Sequence, residues 1–298
     1  MKKEKKFKSG YTAILGKPNV GKSTLLNYFL KEKLAIVSDK PQTTRDVILG
    51  ILTQDDSQII FVDTPGMHKP RTQLGTHMMR SAISAGVDAD VVIFIVDALS
   101  GITAADRHIF RMLESKKILK NCRWSTVLIN KTDAIKKEDI LPLMKQCTEF
   151  FGFDEYMPCS AQTGENCSWV MEKILKALPY GPAYYPKEQL TDKNERFVVA
   201  EFIREAVLKL CREEVPHSVA VEVENFKDNP GRKTLIQATV FLERQAQKKI
   251  VIGKSGTMLK TIGTAARKEI EAFLGRPVYL ELRIKIQQNW RKEGAFLR

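Results

Sequence analysis

The sequence predicts an α/β fold, a mostly parallel sheet with helices on both faces, followed by a smaller α+β domain. Three observations carry this. From Tyr11 to Leu178, short apolar runs rich in β-branched residues alternate with segments whose apolar residues recur every three or four positions. The glycine-rich stretch "GKPNVGKST" lies between the first such run and the first helical pattern. After "PYGPAYYP" (Pro179 to Pro186), which breaks every periodicity, the order of elements changes.

The candidate strands of the first part are "YTAIL", "VILGIL", "QIIFVD", "VVIFIVD", "STVLIN" and "YMPCSA", with helical patterns such as "TAADRHIFRMLESKK" and "NCSWVMEKILKAL" between them. In the second part a helix, "NERFVVAEFIREAVLKLCREE", precedes two alternating strands, "SVAVEVENF" and "TLIQATVFLE", joined through the turn sequence "DNPG". "QKKIVIGKSG", a helical pattern from Thr257 to Leu274 and a last strand, "VYLELRIKI", complete the order α-β-β-α-α-β. The expected boundaries are 9–178 for the first domain, 179–191 for a linker and 192–298 for the second. A chain of 298 residues is longer than the roughly 100–200 of one domain, which agrees with two.

Charge separates the two halves further. The formal net charge is +13, and Arg244 to Arg298 holds thirteen basic and four acidic residues. Such clustering suits a polyanion, most commonly nucleic acid. The longest apolar run, "VVIFIV", is far below the ~18 residues of a membrane span. The basic start "MKKEKKFK" lacks the apolar length of a signal peptide. Five cysteines without a CxxC pair or nearby histidines read as small buried hydrophobes in a reducing cytosol rather than as a zinc site.

"GKS" occurs twice, and spacing distinguishes the copies. Gly16 and Gly21 have the gap of GxxxxGK[ST], after a strand and opening a helix, which defines a P-loop NTPase. Gly16, Lys17, Pro18, Asn19, Val20, Gly21, Lys22, Ser23 and Thr24 are therefore assigned to the nucleotide: backbone N–H groups approach phosphate, Lys22 spans the β- and γ-phosphates, and Ser23 ligates Mg²⁺. "DTPG" then supplies Asp63 for the Mg²⁺ shell and the N–H of Gly66 for a γ-phosphate, with Thr64, Pro65 and Met67 alongside. In "NKTD" (Asn130, Lys131, Thr132, Asp133), Asp133 can accept both donors of a guanine edge, which adenine does not present. "CSA" adds backbone N–H groups at Ser160 and Ala161 for the guanine carbonyl. The expected ligands are thus GTP or GDP with Mg²⁺.

The second triplet has Lys248 where a P-loop needs glycine. What fits is G-x-x-G, Gly253, Lys254, Ser255 and Gly256, between helical segments of an α-β-β-α-α-β domain: the loop of a type II KH domain, which clamps about four nucleotides of single-stranded RNA. Lys248, Lys249, Lys254 and Lys260 supply charge, and Ile250 and Ile252 an apolar patch for bases. Arg244, Arg267, Lys268, Arg283 and Lys285 are further candidates for phosphate, each singly more consistent with solvated surface.

With "GKPNVGKSTLLN", "QTTRD", "DTPG", "NKTD", "CSA" and the KH pattern in this order, nearly the whole chain resembles the Era family, translation-factor-class GTPases of small-subunit ribosome assembly. The resemblance implies GTP hydrolysis, the 3′ end of 16S rRNA in the 30S subunit as partner, and a monomer in the cytoplasm with a peripheral contact to the cell membrane. It implies that Thr43 or Thr44 closes over Mg²⁺ and γ-phosphate, and that Asn19 holds a K⁺ ion. The catalytic set is then Lys22, Asp63, Gly66, Asn19 and Thr43 or Thr44. Met67 stands where Ras-like enzymes place a water-orienting glutamine, and a thioether cannot orient water, so slow intrinsic hydrolysis is expected. His68 beside it is read as a loop histidine rather than a base. The C-terminal "NWRKEGAFLR" is read as packing on its domain or touching RNA ahead of membrane headgroups. A tandem relative would repeat the whole motif set, which this chain carries once. The competing reading is a constitutive RNA-binding module whose nucleotide only stabilises the fold.

Overall fold

The computed structural model describes residues 7–40, 43–67, 73–211, 215–228, 231, 233–288 and 290. Its elements run β1 (Lys8–Gly16), α1 (Lys22–Leu30), β2 (Ile48–Thr53), β3 (Ser57–Asp63), α2 (Gln73–Val87), β4 (Val91–Asp97), α3 (Ala104–Ser115), α4 (Ile118–Asn121), β5 (Trp124–Asn130), α5 (Lys137–Phe150), β6 (Glu155–Pro158) and α6 (Cys167–Ala177). Then follow α7 (Glu195–Leu210), β7 (Ala220–Lys227), β8 (Thr234–Leu242), α8 (Gln245–Ile252), α9 (Thr257–Leu274) and β9 (Val278–Ile286). The chain divides into two compact units: 1–32 with 44–192, and 33–43 with 193–298.

In the first unit one sheet has the order β2-β3-β1-β4-β5-β6, with only β2 antiparallel to its neighbour. β3 is buried along its whole length and β4 from Val91 to Val96, as strands covered on both faces must be. Ala13, Leu15, Phe94, Val127, Ile129, Leu113 and Phe151 form part of one core cluster. Register matters more for function than the core does. Ile14 pairs with Asp63, Gly16 with Ile95, Asp97 with Asn130 and Ile129 with Pro158, so the motif-bearing loops leave the sheet at a common carboxyl edge. Ligands of open α/β sheets bind at that edge.

The segment expected to be a linker, 179–191, packs with the first unit. The Ser9 N–H donates to Pro179 O, the N–H groups of Tyr184 and Tyr185 donate to Gln58 Oε1, and the Ile51 N–H donates to Leu190 O. Gln58 is fully buried, and its side-chain oxygen is satisfied by those two amides, which fixes the segment to β3.

The second unit is a three-stranded sheet, β7-β8-β9, with β7 antiparallel and β9 parallel to β8. α7 and α9 pack together with an edge-on contact of Phe202 and Phe273. The other face is polar, where Asn225, Gln237 and Glu281 form a hydrogen-bonded row and Glu224 pairs with Lys285. Trp290 is buried with Ala220 and Phe241, its indole N–H donating to Ser218 O, so this part of the C-terminal stretch packs on its domain. Residues 33–43, read from sequence as part of 9–178, belong to this unit. The reason is a buried charge: Glu205 accepts from Lys33 Nζ at 2.6 Å, the Val37 N–H at 2.9 Å and Lys209 Nζ at 2.9 Å, while buried Arg204 donates to Thr43 O.

Candidate nucleotide and RNA sites

The P-loop depends on backbone that only certain residues adopt. Gly21 has φ 100°, and a Cβ there would come within 2.2 Å of Asn130 Nδ2. That amide reaches into the loop to donate to Val20 O at 2.7 Å, while Asn130 Oδ1 accepts the Ala161 N–H at 2.9 Å. One side chain of "NKTD" thereby ties the phosphate loop to the "CSA" loop. Asp133 is exposed and accepts from Ser160 Oγ at 2.5 Å, so Ser160 orients the carboxylate. Lys131 pairs with Asp97 at 2.7 Å, and Thr132 is buried.

At the phosphate end Lys22 is buried, its ammonium donating to Gly16 O at 3.1 Å and Lys17 O at 2.9 Å. Burial pulls its pKa down to about 8, against the opposing charge of Asp63. Burial likewise pushes Asp63 up to about 6, with Lys22 and hydrogen bonds from Ser23 and the Thr64 N–H working the other way. A phosphate beside the lysine and a cation beside the carboxylate each favour the charged form.

Ser23 Oγ donates to Asp63 Oδ2 at 2.7 Å and lies 2.9 Å from Thr44 Oγ1. Asp63 Oδ1 is buried without a hydrogen-bond partner. A hard divalent ion fits this oxygen donor set, and the orphaned carboxylate oxygen is what such an ion satisfies. Thr44, not Thr43, belongs to the group. Thr43 turns its hydroxyl to Lys40 O at 2.6 Å, closing a local turn. Among the described residues no three His, Cys, Asp or Glu side chains cluster.

Several residues assigned to the nucleotide from sequence have side chains engaged elsewhere. Thr64 donates to Ile14 O at 2.7 Å within the sheet, Pro65 is buried, and Met67 lies wholly in the core cluster. Met67 still contributes its N–H, which donates to Gly16 O at 3.0 Å. Lys17 directs its ammonium to Ser100, Thr103 and Asp106. Pro18 and Thr24 are half-buried and Asn19 is exposed at φ 63°. His68 lies outside the described residues. The cysteines are free thiols, four buried and Cys122 half-buried.

In the second unit Gly253 (φ 71°), Ser255 (φ 51°) and Gly256 (φ 79°) form the tight turn between α8 and α9. A Cβ on Gly253 would meet Met258 Cβ at 2.7 Å, whereas Gly256 opens on free space, so the first glycine is needed for closeness and the second for its left-handed backbone. Lys249, Ile250, Lys254, Ser255 and Lys260 are exposed, and Lys248 and Ile252 half-buried. Beside the turn runs a groove of about 430 Å³ between α9 and β9, lined by Gly256, Leu259, Lys260, Gly263, Arg267 and Leu282 among others. Sequence reading did not find Leu259, Gly263 or Leu282. The signal available was the isolated glycine inside a helical pattern, which leaves a groove open where a side chain would stand. Arg283 and Lys285, candidates for phosphate, instead pair with Glu281 and Glu224 on the opposite sheet face.

Fold and sites together define a P-loop GTPase joined to a KH domain. The model of 50S ribosome-binding GTPases matches residues 11–131 and that of KH domains residues 214–291. The chain is 47% identical to GTPase Era of Lacticaseibacillus paracasei over 97% of its own length and 95% of that protein's. It belongs to the Era family of GTPases. Among solved structures it is similar to Era in complex with MgGDPNP and nucleotides 1506–1542 of 16S ribosomal RNA, at 40% identity, a TM-score of 0.92 and 98% coverage of both chains. It is also similar to a variant of Aquifex aeolicus Era bound to GDP·AlF₄⁻, at 39% identity, a TM-score of 0.91 and the same coverage.

Proposed function

We propose that the chain binds Mg²⁺ and GTP at the carboxyl edge of its large sheet, hydrolyses GTP slowly, and engages the single-stranded 3′ end of 16S rRNA through its KH groove. In this reading it acts as a monomeric, cytoplasmic switch in assembly of the 30S subunit. The observation that carries it is the pairing of two ends on one edge: Ser23, Thr44 and the orphaned Asp63 oxygen at one, Asn130, Asp133 and Ser160 at the other. Hydroxyls with a carboxylate at one end suit Mg²⁺ and phosphate, and Asp133 at the other has a role that guanine meets and adenine cannot.

Ser23, Thr44 and Asp63 would hold the Mg²⁺, which supplies charge neutralisation at the β- and γ-phosphates. Lys22 is held by two P-loop carbonyls within reach of the same phosphates. With Met67 in the core, no side chain at that position orients water, which supports slow hydrolysis. The exposed Asn19 at the rim of the loop is the proposed ligand for K⁺. Turnover in potassium buffer should exceed that in sodium by about tenfold, a gain lost in Asn19→Ala; equal rates in the two salts remove the proposal. A peripheral membrane contact would fall to residues 291–298, outside the described residues.

The deciding experiment titrates a short RNA of the 16S 3′-end sequence against protein loaded with GDP or with a non-hydrolysable GTP analogue. A switch gives affinities differing by about fivefold or more. Equal affinities favour the constitutive RNA binder. Gly253→Asp, which places charge and bulk against Met258 in the clamp, should weaken RNA binding by about tenfold or more while GTP binding stays at the wild-type value.

A further inference from the structure

Lys17 occupies the second position of the P-loop, yet its ammonium is held by three oxygens of the segment that follows β4. Ser100 Oγ lies at 2.9 Å, Thr103 Oγ1 at 3.4 Å and Asp106 Oδ2 at 3.0 Å. The Asp106 side chain is fully buried. Its Oδ2 also accepts the Thr103 N–H at 2.9 Å and the Thr103 hydroxyl at 2.5 Å, whereas Oδ1 is buried with no partner. A buried carboxylate satisfied on one oxygen only is costly, and its one cationic partner in these contacts is Lys17. α3 needs no such arrangement for its own sake. Thr103 already caps it, and a neutral Asn at Asp106 would keep the reciprocal bond to the Thr103 N–H.

The other end of the segment is also fastened. The Leu99 N–H donates to Asp97 Oδ1, Asp97 Oδ2 takes Lys131 of "NKTD", and the Ala98 N–H donates to Asn130 O. Residues 97–106 therefore brace the base-binding motif against the P-loop. Lys17 transmits the brace directly, because its own carbonyl is one of the two that hold the Lys22 ammonium.

We infer that Asp106 is a positioning residue for the nucleotide, acting through Lys17 to fix the P-loop carbonyls around Lys22. The inference rests on the GTPase reading and adds to it a residue outside the five sequence motifs. It predicts a defect in ground-state binding rather than in chemistry, since the loop is displaced equally before and during phosphoryl transfer.

The test measures kcat and KM for GTP, and release of a fluorescent GDP analogue, in the full chain and in Lys17→Met, Asp106→Asn, the double variant and Lys17→Arg. Each of the first two should raise KM and the release rate by about tenfold with kcat within about twofold. The double variant should be no worse than the worse single, because the two side chains act through each other. Lys17→Arg, which keeps the cation, should restore KM. Thermal melts in parallel separate the alternatives. Lower melting temperatures with KM unchanged within about twofold in both singles would show a purely structural pair and overturn the inference. Multiplicative effects in the double variant would overturn it too. Wild-type turnover of GTP tests the underlying reading separately, so the two can fail independently.

Discussion

Asp133→Asn should move base preference from guanine to xanthine. The carboxylate is exposed and oriented by Ser160 at 2.5 Å, and in the proposed site it would offer two acceptors to the N1–H and the exocyclic amine of guanine. An amide presents one acceptor and one donor. Against guanine the donor faces another donor, and the lost charge-assisted bond adds to that mismatch. Against xanthine, whose carbonyl replaces the amine, the same donor finds an acceptor. GTP affinity should fall by about a hundredfold or more and affinity for xanthosine triphosphate should rise to exceed it. Competition of the two nucleotides for the variant reads this directly, and an unaltered preference for GTP would mean that Asp133 does not contact the base. Ser160 keeps a partner in the variant, so folding should not confuse the result.

This substitution was foreseeable without coordinates because the motifs name their ligands through chemistry that is local in sequence. The P-loop, "DTPG", "NKTD" and "CSA" each end a strand, and parallel pairing then has little choice but to bring them to one edge. The α-β-β-α-α-β order of the second unit was legible for a similar reason: β7 alternates over 221–224, β8 over its first half, and α9 coincides with the helical pattern from Thr257 to Leu274. What the sequence withheld depends on contacts between residues far apart along the chain. Thr43 and Thr44 are neighbours of identical chemistry, distinguished by the approach of Thr44 to Ser23, 21 residues away, and by the turn that Thr43 closes on Lys40 O. Residues 33–43 belong with α7 because Glu205 and Arg204 are buried there, about 170 residues downstream for the Lys33 contact. The segment 179–191 reads as a linker from its prolines, yet a buried glutamine on β3 collects its amides.

Met67 shows the two levels meeting. Sequence identifies it as the wrong side chain for orienting water, and the structure adds where it goes: into a cluster with Leu15, Met79 and Phe94, leaving its N–H on Gly16 O. The "DTPG" segment is therefore held from below by apolar packing and from the side by the P-loop backbone. Any movement of it on nucleotide exchange must break that backbone bond or carry the P-loop along.

Gly66→Ala tests this coupling at its tightest point. A Cβ at Gly66 would stand 2.6 Å from both Cα and Cγ of Pro18 and 2.7 Å from its nitrogen, and the first and last of these are main-chain atoms that no rotamer change can remove. Either the P-loop or the "DTPG" segment must give. The P-loop is fastened by directional side-chain contacts, through Asn130 to Val20 O and through Lys17 to Asp106, whereas residue 66 is held through one backbone bond of Met67 and the non-directional apolar packing of its side chain. The segment should therefore move and the loop should stay. Displacing the Gly66 N–H removes the donor proposed for the γ-phosphate, so GTP hydrolysis should fall by about a hundredfold while GDP, which lacks that phosphate, binds as in the wild type. The difference in RNA affinity between the GDP and GTP-analogue states should vanish along with it. Hydrolysis within about threefold of wild type would show that the segment absorbs a methyl group without moving the N–H, and parallel loss of GDP and GTP binding would show that the P-loop yields first.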